Sequence, residues 1–346
     1  MINFLSVLAA ILVIAIIILI HEAGHFAVAR WMKIPVKEFA IGFGPKLLSW
    51  ERNSVIYSLR WIPLGGYVRF YGEENDDDEF AYANYNVYKR IFVTVAGVLA
   101  NLISAAIISI VVLMTYGAVS GAYSSIAAVE EGSPADLAGL MAGDRFVTVD
   151  SRPVQTGQDV IDLISPARNQ SVQVVMERDG ESREFTLTPI FDEAEQRSMV
   201  GIQISTNYIR SPLPFLQAVP VSVGYVYELV SQTLFAIKDM IFGGAAQGEL
   251  MGIVGTVTVV SEGIRQGFEM LLLFAVIISV NVALINILPL PAVDGGKLIF
   301  LALEAIRGRP IDPNKEGMVH FAGIVLFFGL AVLLTYKDIM RLITGG

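Results

Sequence analysis

The stretch Ala15-Ile-Ile-Ile-Leu-Ile-His21-Glu22-Ala23-Gly24-His25-Phe26 places a His-Glu-x-x-His pentapeptide directly against an apolar run that begins at Val7. On a helix, His21 and His25 stand one turn apart on the same face, about 6 Å along the axis, so both imidazoles can bind one Zn²⁺. Glu22 lies beside them, where a carboxylate can act on a metal-activated water. Chance is the alternative, because the pattern is short. However, two of the three histidines in the chain lie in this pentapeptide. Ionisable groups in a membrane segment are also costly and usually functional.

The composition predicts an integral membrane protein. The 346 residues are 54% hydrophobic and 16% charged, and the mean hydropathy is +0.60. A net charge of −9 argues against nucleic acid as a partner. The absence of cysteine excludes disulfides, thiolate zinc ligands and a cysteine nucleophile. The first apolar run lacks a basic region before it and ends in His-Glu, so we predict a retained helix and not a cleaved signal peptide.

Four apolar segments are long enough to span a bilayer, at residues 3–31, 87–116, 268–288 and 319–336. No Lys or Arg precedes the first segment, whereas several basic residues follow it: Arg30, Lys33, Lys37, Lys46, Arg52, Arg60 and Arg69. The positive-inside rule therefore predicts an extracytoplasmic N-terminus and a cytoplasmic loop at 33–90. With four spans, the C-terminus is expected on the same side as the N-terminus.

In the loop after the first span, apolar and small residues alternate in two stretches that glycines interrupt, residues 39–45 and 57–68. This pattern predicts short strands or hairpins close to the membrane surface. An exposed edge there could pair with an extended peptide by strand addition, or the hairpin could be purely structural. The acidic run at 73–79 is predicted to be a solvated loop.

A soluble domain is predicted from about residue 121. Residues 131–150 indicate a turn, a short helix and a strand, 159–164 a further helix, and 172–187 a hairpin around Asp179-Gly180. The run Gly143-Asp144-Arg145-Phe146-Val147-Thr148-Val149-Asp150 resembles PDZ domains of the bacterial protease-associated kind. Residues 200–203 are the candidate strand beside a peptide groove. Such a domain could bind extended peptides or act as a steric filter.

Residues 212–241 are apolar and aromatic but contain Pro214 and Pro220. We predict an amphipathic helix lying on the outer membrane face here. The stretch Gly252-Ile-Val-Gly255 is predicted to be a turn before a helix that ends near Gly267.

A second motif follows the third span, in which Asn281 and Asn286 precede Pro289-Leu-Pro291-Ala-Val-Asp294-Gly-Gly. Buried amides need hydrogen-bond partners, and a broken helix at membrane depth is tolerated only where it is buried or lines a wet cavity. Asp294 is the natural third ligand, because a zinc site with two histidines lacks its usual third protein ligand. The alternative is that Asp294 caps the following helix.

Two other polar residues lie in predicted spans. Asn101, in the second span, is expected to face the bundle interior, where it packs helices or holds another polar group. His320 lies alone at the start of the fourth span, and we predict a packing role for it outside the metal site.

Together these motifs resemble the site-2 protease family of intramembrane zinc metalloproteases, in the bacterial regulator-of-sigma-E protease branch. The matching stretches run in order along nearly the whole chain: residues 21–25, 42–45, 64–68, the PDZ-like stretch and 286–296. Two departures are Gly97-Val98 in the second span and the stretch 252–255, where the family more often has Gly-Pro.

The resemblance implies one Zn²⁺ per chain, bound by His21, His25 and Asp294, with Glu22 as the general base. It also implies a set of substrate-binding residues, with the hairpin glycines pairing with the substrate strand: Asn281, Asn286, Gly65, Gly66, Pro289 and Pro291.

The sequence thus predicts a mainly α polytopic membrane protein with four transmembrane helices, membrane-associated β-hairpins and an inserted α+β PDZ-like domain. The predicted parts are residues 1–118 with the first two spans, 119–206 as the PDZ-like domain, 207–267 as an extracytoplasmic connection, and 268–346 with the last two spans. The N-terminus, the PDZ-like domain and the C-terminus are expected outside the cytoplasm, and the active site toward the cytoplasmic side of a bacterial inner membrane.

The expected activity is hydrolysis of peptide bonds in transmembrane segments of single-span membrane proteins, such as anti-sigma factors or remnant signal peptides. Membrane lipid and peptides of the PDZ-like domain are further expected partners. The alternative from another class is a non-catalytic membrane receptor or scaffold with a structural metal. A metal transporter fits less well, because the polar residues cluster at one site and trace no path across the spans.

Overall fold

The computed structural model describes residues 4–72, 80–193, 197–242, 263 and 267–344. The chain divides into two compact units, one formed by Met1–Met114 with Pro214–Gly346 and the other by Thr115–Leu213. In the described part, four helices are long and apolar enough to cross a membrane, at Val7–Trp31, Val87–Thr115, Phe268–Ile287 and Asn314–Lys337. The four predicted spans are therefore confirmed as apolar helices of spanning length.

The described helices are α1 (Phe4–Trp31), α2 (Val87–Thr115), α3 (Pro134–Leu137), α4 (Gly157–Ile164), α5 (Phe215–Phe242), α6 (Phe268–Ile287), α7 (Asp294–Arg307) and α8 (Pro313–Thr344). The described strands are β1 (Val36–Arg52), β2 (Val55–Phe70), β3 (Ala118–Val129), β4 (Arg145–Val149), β5 (Arg152–Pro153), β6 (Val172–Arg178), β7 (Glu181–Leu187), β8 (Ile190–Asp192), β9 (Arg197–Met199) and β10 (Ile202–Ser211).

The first two apolar helices approach each other closely through small residues. A Cβ atom on Gly24 of α1 would lie 2.5 Å from the carbonyl oxygen of Ala96 and 2.7 Å from the Cβ of Ala100, both on α2. Without a hydrophobic driving force in lipid, helices associate through such close packing of small residues. This contact sets the face of α1 that carries the histidines against α2.

The loop after α1 forms one long antiparallel hairpin, β1 and β2, where the sequence predicts several short strands. The turn at Asn53 and Ser54 has φ values of +51° and +61°, as tight hairpin turns require. Residues 38–41 of β1 lie opposite two different segments of β2, so that Phe39 faces both Val68 and Tyr57. The hairpin is therefore folded back on itself, and its base packs against α1 and α2 in a buried apolar cluster.

The second unit contains a sheet of order β10-β3-β4-β6-β7, with β5 paired to β4 and a separate β8-β9 pair. The predicted hairpin is present as β6 and β7, and Asp179 and Gly180 at its turn have φ values of +54° and +80°. The unit extends beyond the predicted 119–206, because β10 pairs with β3 as far as Ser211 opposite Ala118. The predicted short helix and strand at 131–150 are present as α3 and β4.

Residues 215–242 form the continuous helix α5, which passes through Pro220 without a break. Its apolar side packs against α2 and α6, where Val226 lies in one buried cluster with Ala105 and Val280. Polar contacts reinforce this packing, since the Ser222 hydroxyl donates to the carbonyl oxygen of Ala106 at 2.7 Å. The helix thus lies against the spanning helices. The predicted turn at 252–255 and the acidic run at 73–79 fall outside the described residues.

Candidate metal centre

Three side chains from distant parts of the chain meet at one point. The distance is 3.0 Å from His21 Nε2 to Asp294 Oδ2, 3.2 Å from His25 Nε2 to the same oxygen, and 3.1 Å between the two Nε2 atoms. Across the described ranges, this is the one group of three or more potential metal ligands whose ligand atoms lie within 4.8 Å of one another. The structure therefore assembles the three residues that the sequence predicts as ligands.

The donor set fits a zinc ion. The His25 Nδ1 lies 2.7 Å from the carbonyl oxygen of Val93, so Nδ1 carries the proton and Nε2 presents a lone pair to the cluster. Lone pairs and a carboxylate oxygen about 3 Å apart repel one another unless a cation lies between them. Ligands of a tetrahedral Zn²⁺ at about 2.1 Å are about 3.4 Å apart, a few tenths of an ångström more than the spacing seen here.

Asn101 holds the other histidine. It is fully buried, and its side-chain amide lies 3.5 Å from His21 Nδ1. The Oδ1 atom has no hydrogen-bond partner among the described residues. The oxygen and nitrogen of a side-chain amide are assigned from their contacts. If the Asn101 amide is rotated by 180°, its Oδ1 faces His21 Nδ1 and accepts the proton on that nitrogen. Asn101 then fixes the tautomer that leaves Nε2 for the metal, consistent with the sequence-based expectation that it holds a polar group.

Gly97 of α2 is a functional residue that the sequence alone does not reveal. A Cβ atom there would lie 2.4 Å from His25 Nε2 and 2.7 Å from His21 Cε1. Any larger residue would occupy the space beside the ligand atoms. In the sequence, Gly97 stands beside Ala96 and next to Val98, where the related family more often has proline. Small residues indicate close helix packing, but they do not show which residues approach.

The turn after α6 brings Asp294 to the histidines. Asp294 is the first residue of α7, and the N-cap position belongs to Val293, so the capping alternative does not describe this residue. A Cβ on Gly295 would lie 1.9 Å from the carbonyl oxygen of Leu288, and one on Gly296 would lie 2.3 Å from that of Leu290. The two glycines therefore allow the turn to fold back across the first turn of α7.

A cavity of about 870 Å³ opens onto the cluster and is lined by His21, Glu22 and Asp294. The second hairpin strand passes close to Glu22, since a Cβ on Gly66 would lie 3.3 Å from Glu22 Cγ. Gly65, Gly66 and Asn286, which were predicted to bind substrate, all line this cavity.

The other three predicted substrate-binding residues, Asn281, Pro289 and Pro291, are not among the residues that line it. Asn281 instead accepts a hydrogen bond of 3.2 Å from the hydroxyl of Thr233 on α5, because its position on α6 faces that helix. Pro291 packs against Gly323 of α8.

Charged residues that the sequence reading did not connect with the site line the rest of the cavity. Arg90 of α2 is 6% exposed and forms an ion pair with Glu304 of α7. The Arg90 Nε also donates to the carbonyl oxygen of Tyr85 at 3.0 Å. The ion pair ties the C-terminal half of α7 to α2, while Asp294 lies at the start of the same helix.

Comparison with known proteins assigns the family. The family model described as peptidase family M50 matches residues 9–330, which include every member of the metal cluster. The chain belongs to peptidase family M50. As an M50 peptidase it is a zinc-dependent protease, and its cofactor is Zn²⁺.

Curated relatives match this M50 peptidase from end to end. A protein of Clostridium acetobutylicum, provisionally named a zinc metalloprotease, is 31% identical over 339 residues, which is 98% of this chain and 98% of the relative. The zinc metalloprotease RasP of Oceanobacillus iheyensis is 28% identical over 97% of this chain and 99% of its own length. The metalloprotease MmpA of Caulobacter vibrioides is 28% identical over 99% of this chain and 97% of its own length.

Among solved structures, the PDZ domain of an SdrC-like protein from Listeria innocua is 23% identical and covers 27% of this M50 peptidase and 100% of that domain, with a TM-score of 0.22.

Proposed function

We propose that this M50 peptidase is a membrane-embedded endopeptidase that hydrolyses peptide bonds within transmembrane segments of other membrane proteins. The observation that carries the proposal is that His21 and His25, on an apolar helix of spanning length, meet Asp294. Asp294 follows the turn after a second such helix and begins α7. Polar residues at such depth are costly and mark functional sites. A site built into spanning helices is suited to a substrate that lies in the same membrane.

Two histidines and one aspartate would hold the metal and leave a fourth position open, as in catalytic zinc sites. When bound, Zn²⁺ supplies a Lewis acid that polarises the substrate carbonyl and lowers the pKa of water. Glu22 lines the same cavity as His21 and Asp294. Its carboxylate takes the proton of the attacking water and delivers it to the nitrogen of the leaving amine.

The substrate has to be extended to be cut, because a transmembrane helix satisfies its backbone hydrogen bonds internally. The backbone at Gly65 and Gly66 passes beside Glu22, where it can pair with an extended strand. Asn286 lines the cavity on the opposite element, α6, and its Nδ2 donates to the carbonyl oxygen of Val282 at 2.9 Å. We propose that these residues hold the unwound segment.

The basic residues between α1 and α2 support an orientation with this loop and the catalytic half of α1 toward the cytoplasm. In that orientation the N-terminus, the unit at Thr115–Leu213 and the C-terminus lie outside the cytoplasm. Single-span proteins of a bacterial inner membrane, such as anti-sigma factors or remnant signal peptides, are the proposed substrates.

The unit at Thr115–Leu213 is proposed to be PDZ-like. A groove of about 1020 Å³ runs between α4 and residues 198–204, beside the edge strand β10. An edge strand next to an apolar groove can take an extended peptide by strand addition. A steric filter that only limits substrate size is the second reading. An Ile161→Lys variant in the groove separates them, since peptide binding predicts weaker cleavage of a peptide-bearing substrate and a filter predicts no change.

The deciding experiment uses the full chain in detergent with a model transmembrane substrate and a matched chelator control. Glu22→Gln is expected to abolish cleavage while it keeps the bound zinc, because only the proton carrier is removed. A scaffold with a structural metal would show no cleavage in the wild-type protein either. A Glu22→Gln protein that cuts at the wild-type rate would refute the assignment.

A further inference from the structure

The fourth apolar helix, α8, supplies none of the three clustered ligands, yet it binds the turn that leads to Asp294. The backbone N–H of Ala292 donates to His320 Nδ1 at 3.0 Å. Because this nitrogen accepts, the proton of the neutral imidazole is on Nε2. The hydrogen bond thus fixes the main chain two residues before the aspartate.

The backbone that His320 holds is in an unfavourable conformation. Ala292 has a φ of +76°, a region that residues with a Cβ rarely occupy unless the surroundings impose it. Its N–H belongs to a turn between two helices and not to either helix. The contact with His320 therefore stabilises a local geometry that the chain does not adopt by preference.

A second contact, one turn further along α8, acts on the preceding residue of the same turn. A Cβ atom on Gly323 would lie 2.5 Å from the Cβ and 2.7 Å from the Cγ of Pro291. By contrast, Cβ atoms on Gly317 and Gly329 of the same helix would meet nothing within 4 Å. The close approach is therefore confined to the place where α8 passes the turn.

His320 also contacts the element on the other side of the aspartate. The ring of Phe300 on α7 lies 5.7 Å from the His320 ring, measured between centroids. Along the chain, Asp294 thus lies between two residues that the same histidine contacts, Ala292 in the turn and Phe300 in helix α7.

We propose that His320 and Gly323 make α8 the positioning element for Asp294: they fix the turn at 291–292 and so the place of the carboxylate over the two histidines. The inference rests on the proposed role of Asp294 as a metal ligand. His320 acts through the backbone of the turn and is not one of the clustered ligands. Outer residues that orient a ligand in this way typically change metal affinity by 10- to 100-fold.

The test compares two amides at position 320 in the full-length protein. In His320→Asn the side-chain oxygen can occupy the place of Nδ1 and accept from Ala292, whereas in His320→Gln the amide extends to the place of Nε2. The Zn²⁺ dissociation constant is measured by competition with a chromophoric chelator, and kcat and KM are measured separately. We expect Gln to weaken zinc binding at least tenfold and lower kcat with KM unchanged, and Asn to restore both.

Gly323→Ala tests the same turn independently of the histidine, with Gly329→Ala as the matched control on the same helix. We expect Gly323→Ala to weaken zinc binding at least tenfold and Gly329→Ala to leave it unchanged. Hydrogen exchange at residues 288–293 should become faster in Gly323→Ala and His320→Gln. These changes should appear at temperatures where all variants remain folded, which a purely structural role would not produce.

Wild-type zinc affinity and kcat in both His320→Gln and Gly323→Ala would overturn the inference. Failure of the proposed function is a different result, because it would show as zinc binding that survives Asp294→Ala or as a wild-type chain without zinc-dependent cleavage.

Discussion

A Cβ atom on Gly97 would lie 2.4 Å from the Nε2 of His25, so the main chain of α2 is in direct contact with a proposed metal ligand on α1. The spacing of the histidine motif does not predict this contact. Because residue 97 has no side chain, the space beside the ligand atoms stays open. The glycine leaves this buried position of α2 without a side chain.

Gly97→Ala is expected to weaken zinc binding at least tenfold, because the added methyl group displaces both imidazoles. Losing an outer partner of a ligand already costs about 10- to 100-fold in metal affinity, and displacing the ligands themselves should cost no less. Zinc content after dialysis against a graded chelator measures the effect. Gly224→Ala on α5 is the control, since a Cβ there would meet nothing within 4 Å. Equal zinc retention in the two variants would contradict the proposed role of the glycine.

Asn101→Asp is expected to keep the zinc affinity near that of the wild type, because a carboxylate oxygen can accept the Nδ1 proton of His21. Asn101→Leu is expected to weaken zinc binding by 10- to 100-fold, as is typical when a partner of a ligating histidine is lost. Chelator competition again measures both. If Asp weakened binding as much as Leu, the amide would be donating to His21 and not accepting from it.

Breaking the ion pair between Arg90 and Glu304 is expected to destabilise the membrane unit. Arg90→Gln leaves the partly buried carboxylate of Glu304 without its partner, and about 3–5 kcal/mol, the typical cost for a fully buried pair, is the upper limit of the loss. A charge swap, Arg90→Glu with Glu304→Arg, should recover part of that loss, since a coupled pair departs from additivity. Thermal unfolding of the purified protein is the measurement, and strictly additive losses in the double variant would argue against the pair.

Asp144 is expected to make the second unit acid-sensitive. Its carboxylate is 1% exposed and accepts two hydrogen bonds from Arg178, at 2.6 and 2.7 Å. Burial opposes its ionisation, but the hydrogen bonds from Arg178 and the Met141 amide outweigh burial and lower the pKa of Asp144. Because the folded-state pKa is lowered, the ionised carboxylate stabilises the fold at pH values above the unfolded pKa of about 3.9. This stabilisation is lost as the pH falls through the folded-state pKa.

The protection of β4 and β6 against hydrogen exchange, measured relative to the intrinsic rate at each pH, should therefore fall below about pH 4. Asp144→Asn should show reduced protection already at neutral pH. Asp162→Asn, at an exposed position of α4, is the matched control. A wild-type exchange profile in Asp144→Asn would show that the pair does not stabilise this unit.

Much of the site could be predicted from the chain because its chemistry is written in local patterns. His21 and His25 share a helix face by their spacing, and Asp294 follows two prolines that interrupt an apolar helix. Elements of the unit at Thr115–Leu213 could be predicted for the same reason. The turn at Asp179-Gly180 and the small-residue helix before Gly143 are encoded by residues close together in the sequence.

The remaining features depend on which surfaces meet in three dimensions. Gly97 is important because α2 packs against the two histidines at this position. Arg90 is important because α7 packs against α2 and brings Glu304 to it. Neither contact can be predicted from spacing along the chain. Asn281 illustrates the same dependence on how helices pack. It sits in the same motif as Asn286, but a shift of five positions turns it by more than a quarter of a helical turn, toward Thr233 of α5.

The metal cluster joins the beginning of the polypeptide to a residue near its end. A ribosome delivers His21 and His25 to the membrane long before it has made Asp294, so a growing chain carries a two-ligand site that lacks its only acidic member. Peptide-bond hydrolysis thus depends on completing synthesis almost to the last helix. A chain that is still being inserted into the membrane therefore lacks a complete metal site until residue 294 has been made.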